Sequence, residues 1–457
     1  MSIYGLSDAE QRLVAGLLQQ LADRRARNEV RRAHMDCKKL PKPPPTVPPY
    51  LRNIGLVLGW PAKALEALAR RVRLTGFAIP GSDLSSFGLD TILDDNDYVS
   101  EARMAQMSAL EFGVSWQVVT RGGAGEPDVL ITRQTALDGT GTWNIRARRL
   151  SDFISVNTRD QQGNPSAFNL YLPGQTVVID SKRVVDRVET GLDHVPVEPL
   201  VYRQRDGRPF GSSRITRPIM QITQSAIRTM LRSEGTADFY GTPLLALFGP
   251  DKSLFESNPP LRMLLSSMFA IPDNDDAENP RADLKQLAQG SQQPHVDQLQ
   301  VWAQLFAAEA NIPATSLGVN MSQANPTSDE SYEASREDLI AEAEDTQDGF
   351  TRAHVRTQQT AWLLATGEQV LPTELRKLQP TWRDARHGSK GGAADWMTKV
   401  VSVLPWVAET DTALDLLGLD EGTVDRLLAD RRRLRAQSAI AALTGDQGLA
   451  GAIQSAG

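Results

Sequence analysis

Between Asp329 and Asp345 the chain carries eight acidic residues, Asp329, Glu330, Glu333, Glu337, Asp338, Glu342, Glu344 and Asp345, against one base, Arg336. Carboxylates at this density could ligate a divalent cation for nuclease chemistry, or they could form a solvated helix face. No histidine stands among them, so the charged face is the simpler reading. At helical spacing Glu330, Glu333, Glu337 and Glu344 share one side, with Tyr332, Leu339 and Ala343 toward another. A ring of copies that pointed this face at an axis would line a pore with negative charge.

Other stretches that could do chemistry fail on spacing. HGSKGG has its Lys and glycines in the wrong order for a phosphate loop, and no strand leads cleanly into it. TILDDNDYVSE lacks the spacing and the Gly of a calcium loop, and reads as capping for the helix DYVSEARMAQMSALEF. Cys37 stands alone, which excludes an internal disulfide, and His34, His194, His295, His354 and His387 are scattered, without zinc-site spacing. Nucleophile elbow, Ser/His/Asp or Cys/His set and dinucleotide fingerprint are absent in any interpretable context. The sequence therefore predicts no catalytic residue, no metal and no cofactor.

Two helices must position the acidic run. GSSRITRPIMQITQSAIRTMLRSE places Ile215, Ile219, Ile222, Ala226 and Met230 on one apolar stripe. The spacing predicts a helix from Arg214 to Glu234, about 32 Å long, capped by Ser212 or Ser213 and bent or delayed in its first turn by Pro218. Arg217, Gln221, Gln224 and Arg228 occupy the opposite face. VDQLQVWAQLFAAEANIP predicts a second helix with Val296, Leu299, Trp302 or Ala303, and Phe306 on one side, ended by Pro313. The next segment, TSLGVNMSQANPTSDES, is nearly uncharged and rich in Asn, Ser, Gly and Thr, the composition of a surface or functional loop.

At 457 residues the chain exceeds one ordinary core, so two or more packed units are expected. With 49 basic and 56 acidic residues the net charge is −7, which argues against an ordinary basic nucleic-acid binder. Any DNA contact must be local or weak. The start, MSIYGLSDAEQ, has neither a basic nor an apolar signal region, and no apolar run is long enough to span a bilayer, so the sequence reads as soluble and not secreted by that route.

In chain order, Ser7 and Glu10 form a capping box opening a helix through Leu13, Leu17 and Leu21. Its far end is basic from Arg24 to Lys42, either a solvated end or a phosphate or partner contact, and LPKPPPTVPPYL is a stiff spacer. Pro61 opens a helix with Leu65, Leu68 and Val72, and LTGFAI reads as a strand. From Val114 to about Val201 the period falls to two, predicting short strands in a mixed β region packed on flanking helices. HVRTQQTAWLLATG is helical, LQPTW a strand or turn, and the C-terminal part gives two amphipathic helices, the second bearing Arg431, Arg432, Arg433 and Arg435, a solvated face or a DNA or capsid contact.

Four blocks in order, LRNIGLVLGWPAKALEALARRVRLTGFAI, GRPFGSSRITRPIMQITQSAIRTMLRSE, QQPHVDQLQVWAQLFAAEANIPATSLGV and the ANPTSDES loop, resemble portal proteins of long-tailed bacteriophages, in the branch common in phages of actinobacteria. That resemblance implies an α+β portal fold in a ring, usually of twelve copies, set in the virion at one capsid vertex after assembly in the host cytoplasm. Its parts would be a mixed α/β wing over residues 1–210 and 346–405, a stem from helices at 211–242 and 296–316, a small clip at 243–295, a tunnel loop with its acidic helix at 317–345, and a helical crown at 406–457. Residues implied to line the channel are Asn320, Met321, Ser322, Gln323, Asn325, Ser328, Glu330, Glu333 and Glu337. Arg217, Gln221, Gln224 and Arg228 belong to the stem, and Asp251, Lys252, Arg262 and Asp273 to a clip that meets the packaging motor. Implied partners are further copies of the chain, the large terminase subunit, a head-completion adaptor, the major capsid protein, a scaffold protein, and double-stranded DNA that passes without tight sequence-specific binding. A structural role without catalysis, cofactor or membrane follows. The competing readings are a metal- or ATP-dependent DNA maturation enzyme and a minor head protein that forms no pore.

A conduit should not grip its cargo, because each phosphate–lysine pair adds salt-dependent affinity that would stall movement. Asn320, Gln323, Asn325 and Ser328 are therefore expected to approach DNA, with Glu330, Glu333 and Glu337 keeping it from adhering. Ring closure needs two different surfaces per subunit, and the polar flank of the first stem helix is a candidate for one.

Overall fold

The computed structural model describes residues 3–40, 42, 55–240, 245–248, 268–271, 283–286, 291–319, 336–386, 390–410, 413–414 and 421–444. The chain divides into two compact units at 385/386.

The larger unit opens on α1 (Asp8–Met35), started by the expected capping box: the Glu10 carboxylate accepts from the Ser7 N–H at 2.8 Å, and the Glu10 N–H donates to Ser7 Oγ. Val14, Leu17 and Leu21, at helical spacing, bury against Ile154, Val156, Phe168, Leu170, Val177 and Ile179. The basic end of α1 is not simply solvated. Arg24 donates to Thr140 at 3.1 Å and covers the Phe210 ring, Arg25 pairs with Asp138 at 3.0 Å, Arg31 donates to the Phe112 carbonyl, and Arg32 pairs with Glu111 at 2.5 Å. These stems lie on apolar surface while their heads reach acceptors of neighbouring elements, so the run fastens α1 to the β region. Arg27, Lys38 and Lys39 remain exposed.

Helix α2 (Trp60–Ala69) has Pro61 in its first turn and buries Leu65 and Leu68, with Val72 beyond it. Strand β1 (Leu74–Ala78), helix α3 (Leu89–Asp95) and helix α4 (Tyr98–Phe112) follow. Asp97 precedes α4 with φ 41 and makes no side-chain cap, contrary to the capping expected there. The period-two region folds as eight strands: β2 (Val114–Arg121), β3 (Val129–Thr135), β4 (Gly139–Asn144), β5 (Arg149–Arg159), β6 (Pro165–Leu172), β7 (Gln175–Asp180), β8 (Arg183–Glu189) and β9 (Val197–Val201). They form two sheets, β3-β2-β9 and β4-β5-β6-β7-β8, and every pairing is antiparallel, because short turns rather than crossover helices connect successive strands.

Helix α5 (Arg217–Tyr240) begins three residues after the expected Arg214. Pro218 falls in its first turn, and Thr216 Oγ accepts from the Ile219 N–H at 3.4 Å, so Thr216 rather than Ser212 or Ser213 supplies the cap. Three short strands lie in the segment after it: β10 (Leu245–Phe248) pairs parallel with β11 (Met268–Ile271) and antiparallel with β12 (Asp283–Gln286). Helix α6 (Gln293–Glu309) returns toward the base of α5. Helix α7 (Glu337–Thr366) runs without a break across residues 345 and 346, since Leu339, Ala343, Phe350, Ala353, Thr357, Ala361 and Leu364 keep one stripe buried along it. Strand β13 (Gln379–Trp382) closes the unit by pairing antiparallel with β1.

The central core joins α2, α4, α5, α6 and α7 through Leu65, Leu68, Leu110, Ile219, Phe306 and Phe350, with the Trp60 and Phe306 rings 5.3 Å apart. Removing the Phe306 ring would cost about 3–5 kcal/mol by leaving a cavity among these helices. Two glycines let the chain enter α5. Gly113, at φ +102, ends α4 where a Cβ would press the Ser212 backbone at 3.0 Å, and Gly211, at φ +61, leaves no room for a Cβ beside the Tyr202 carbonyl.

In the smaller unit, α8 (Lys390–Val403) packs on the turn at Pro405–Glu409 through Met397 and Val407, and α9 (Glu421–Thr444) exposes Arg432, Arg433 and Arg435. No helix among the described residues is long and apolar enough to cross a membrane.

Candidate functional site

The helices that the sequence places before the polar loop form an antiparallel hairpin with a polar seam. Thr216 donates to Glu309 at 3.1 Å near the base, Thr229 donates to Gln298 and accepts from the Trp302 indole at 3.2 Å each, and Ser233 and Thr236 meet Gln292 and His295 near the far end. Hydroxyls on α5 therefore set its register against α6. The expected stripe is wider than periodicity suggested: Ile215, Ile219 and Ala226 are buried, Ile222 and Met230 are half-buried, and Ile227 and Leu231 form a second patch. On α6 Ala303 and Phe306 are buried, Leu299 and Trp302 half-buried, and Val296 is 42% exposed, which corrects its assignment to the apolar side. Val296 lies near the end of the hairpin remote from the core.

At the base of the hairpin sits a buried ion pair that sequence reasoning missed. Arg214, immediately before α5, is 2% exposed and pairs with Glu342 of α7. Its guanidinium also donates to the Ala64 carbonyl of α2 at 3.0 Å and the Ala310 carbonyl after α6 at 2.6 Å. The Glu342 carboxylate further accepts from the Tyr202 hydroxyl, from Arg203 at 2.8 Å and from Asn311 at 3.1 Å. Burial alone would raise Glu342, but the Arg214 charge and hydrogen bonds from Arg214 and Tyr202 outweigh it and hold the carboxylate below its ordinary value. Burial pushes the Tyr202 phenol up, keeping it a donor. Glu342 thus belongs to the interior and not to the solvated acidic face on which the sequence placed it.

Members of this hub stand on both sides of residues 320–335, Asn311 before them and Glu342 after. Asn311 closes α6 at φ 50, a left-handed conformation that Asn tolerates, and Glu342 lies in the second turn of α7. One carboxylate gathers the residues on either side of the segment to the root of α5.

Of the residues expected to line a channel, Glu337 is exposed at the first position of α7. Asn320, Met321, Ser322, Gln323, Asn325, Ser328, Glu330 and Glu333 lie outside the described residues, as do Asp251, Lys252, Arg262 and Asp273. Arg217 and Gln221 are exposed on α5 as expected. Gln224 instead reaches His34 of α1 at 3.2 Å, and Arg228 donates to Ser225, so these two engage their own chain. Among the described residues no group of three or more His, Cys, Asp and Glu could hold a metal ion.

A second buried network lies further along α7. His354 is fully buried between Tyr98 and Gln106 of α4, at 2.9 Å from Nδ1 and 3.1 Å from Nε2. Gln106 donating to Nε2 leaves the proton on Nδ1, which donates to the Tyr98 oxygen, and Tyr98 donates to Gln117 at 3.1 Å, which also meets Thr357. Burial holds the imidazole neutral, with its pKa lowered to about 3.

Sequence comparison places these features in a family. Residues 24–417 match the family model described as phage portal protein, SPP1 Gp6-like, and the chain belongs to that family, whose members are structural parts of the phage capsid. It is 25% identical over 368 residues to the portal protein of Mycobacterium phage L5, covering 78% of this chain and 74% of that protein, and 26% identical over 369 residues, with the same coverage, to the portal protein of Mycobacterium phage D29. Among solved structures, a chain in the virion of a native gene transfer agent particle aligns at TM-score 0.42 and 12% identity, over 79% of this chain and 90% of that one. A chain of the neck of that particle, with C12 symmetry, aligns at TM-score 0.41 and 10% identity over the same shares.

Proposed function

We propose that this portal protein closes into a ring of twelve copies at one vertex of a phage capsid and conducts double-stranded DNA through its centre, inward during packaging and outward at ejection. The observation that carries the reading is the family match across residues 24–417, which spans both hairpin helices, the 320–335 segment and the helix after it. In this reading α5 and α6 form the stem, and residues 243–295 form the clip that receives the large terminase subunit and later the head-completion adaptor. The segment at 317–345 forms the channel lining, and the hub of Arg214, Asn311 and Glu342 holds that lining to the stem. The capsid protein and a scaffold protein are the remaining partners, met during assembly in the host cytoplasm.

Asn320, Gln323, Asn325 and Ser328 offer neutral hydrogen-bonding groups to the passing backbone, while Glu330, Glu333 and Glu337 supply negative charge that prevents adhesion. Mass measurement and negative-stain images of the purified protein test the architecture: a ring with a central hole supports it, and a minor head protein without a pore gives none. Replacing Glu330, Glu333 and Glu337 with lysine tests the lining. The expected outcome is a shorter packaged genome at low salt with partial recovery at higher salt. Full-length packaging by an intact lysine-substituted ring would remove the lining role.

A further inference from the structure

Opposite edges of the β3-β2-β9 sheet carry opposite charge. Beyond β9 lies an arginine cluster. The buried Glu198 of β9 is 3.5 Å from Arg149 and 3.6 Å from Arg356, and Arg356 donates to the Arg148 carbonyl at 2.7 Å, which seats the tip joining β4 and β5 against α7. Arg146, Arg148 and Arg352 are exposed around this anchor. Asp193, which also feels the Arg149 charge, is paired with His194 at 2.6 Å. The guanidiniums thus exceed their local carboxylates, and Arg352 is lowered from its ordinary value chiefly by the charge of Arg356.

At the outer edge of β3 the sign reverses. Asn96 seals that edge, donating to the Val129 carbonyl at 2.9 Å and accepting from the Ile131 N–H at 2.7 Å. Asp94, Asp95 and Asp97 flank Asn96, Asp128 leads into β3, and all four are exposed. Arg133 of β3 is taken by Glu101 at 2.6 Å, and among the described residues none of the four aspartates is ion-paired. Asp94 and Asp95 close α3, where the negative end of the helix dipole disfavours acids, so the helix itself gains nothing from them.

The two surfaces face apart. Strand β2 separates β3 from β9, and α4 packs on the β3 side of the sheet. Around α7, Arg356 stands about 200° from His354, the residue that reaches α4, so the arginines point away from α4. Neither surface is the acidic start of α7. Helix α3 shares its core with Leu363 and Leu364 near the other end of that helix, and Arg356 stands about 28 Å along the axis from Glu337.

We propose that the arginine cluster beyond β9 receives the aspartates at the β3 edge of a neighbouring copy, forming one of the head-to-tail contacts that close the ring. The inference rests on the ring reading above. Neighbours in a ring of twelve differ by a rotation of only about 30°, so each surface must meet one on the opposite side of the next copy, and these two edges supply such a pair. Each also carries an apolar residue for the contact: Ile145, 81% exposed on the β4–β5 tip, and Val99, 39% exposed beside the aspartates. A nucleic-acid backbone would answer the arginines but not the aspartates.

Reversing one side of the contact at a time tests it in the full chain. D94K/D95K and R148E/R352E should each raise the concentration at which rings assemble by about tenfold. An equal mixture of the two should return close to wild-type assembly, because alternating copies then set lysine against glutamate at one contact and aspartate against arginine at the next. Assembly is read by the mass distribution against protein concentration at low salt, with circular dichroism verifying that each variant is folded. Rings unaffected by either reversal, or a mixture no better than its components, would overturn the proposal. So would R148E/R352E rings that form normally but lose binding to a short DNA duplex, which would make the cluster a nucleic-acid surface. A wild-type protein that never forms rings overturns the ring reading itself, whereas intact wild-type rings indifferent to both reversals overturn this contact alone.

Discussion

Helix α7 sends two polar networks into the interior, twelve residues apart, and they are built on opposite charge states. Glu342 is ionised and answered by Arg214, with Tyr202, Arg203 and Asn311 filling its remaining acceptor positions. His354 is neutral and is satisfied by Tyr98 and Gln106 alone, without a charge in contact. The difference follows from what each network joins. The ionised hub gathers chain segments from around residues 64, 202, 214, 310 and 342, and a guanidinium with five donors can reach several carbonyls at once. The neutral network fastens α4 and β2 to α7, where one imidazole with two ring nitrogens is enough. A buried ion pair is costly to desolvate and is weak evidence for stability in itself, but losing one partner strands the other.

The largest expected effect is therefore at the hub. Glu342→Ala leaves Arg214 buried without its counterion and should lower stability by about 3–5 kcal/mol, read as the shift in denaturant midpoint. A change below 1 kcal/mol would mean that water or a neighbouring group replaces the carboxylate, and the contrast with His354 would collapse.

The next effect separates the networks by pH. His354 is depressed in the folded chain to about 3 and takes up a proton on unfolding at pH values below its ordinary 6.5. Its contribution is present above pH 6.5 and is lost as pH falls toward 3, at about 1.4 kcal/mol per pH unit within that window. Glu342, also held below its ordinary value, gives up its contribution only at pH below 4.5. His354→Leu should be less stable than wild type at pH 7 by about 1–3 kcal/mol, for the unpartnered Tyr98 and Gln106 groups. That gap should narrow between pH 6 and pH 5 in equilibrium denaturation, while Glu342→Ala keeps its full deficit there. Parallel pH curves for wild type and His354→Leu would show that the imidazole is not held neutral.

The smallest effect is at the rim of the hub. The Arg203 side chain is 44% exposed, so Arg203→Ala should cost less than about 1 kcal/mol and lose even that difference in high salt. A larger, salt-insensitive loss would make Arg203 a member of the buried hub.

Much of the architecture could be read along the chain because it is written in local terms. The Ser7–Glu10 box, Pro61, the step to period two at Val114 and the stripe on α5 each depend on neighbours within a few residues, and the structure has them where expected. The candidate site was legible only in part. Hydrophobic periodicity assigns every carboxylate to the polar side, so Glu342 was grouped with its solvated neighbours although it points inward one residue before the buried Ala343. Arg24, Arg25, Arg31 and Arg32 were read as a basic run for the same reason, since nothing near them in sequence reveals Asp138, Glu111 or Thr140. Asn311 did carry a signal, an Asn just past a helix end and ahead of Ile312 and Pro313, which suits a left-handed turn.

By itself the sequence determined, to within a few residues, where most helices and the period-two strands lie, which face of α5 is apolar, and the family to which the chain belongs, because those follow from short-range spacing and from blocks of consecutive residues. Only the tertiary structure decided which charges are buried, which hydroxyls set the α5–α6 register, and how the flanks of the 320–335 segment are held. These depend on partners from 31 residues apart, as for Asn311 and Glu342, to 256 apart, as for Tyr98 and His354, that no local pattern can bring together.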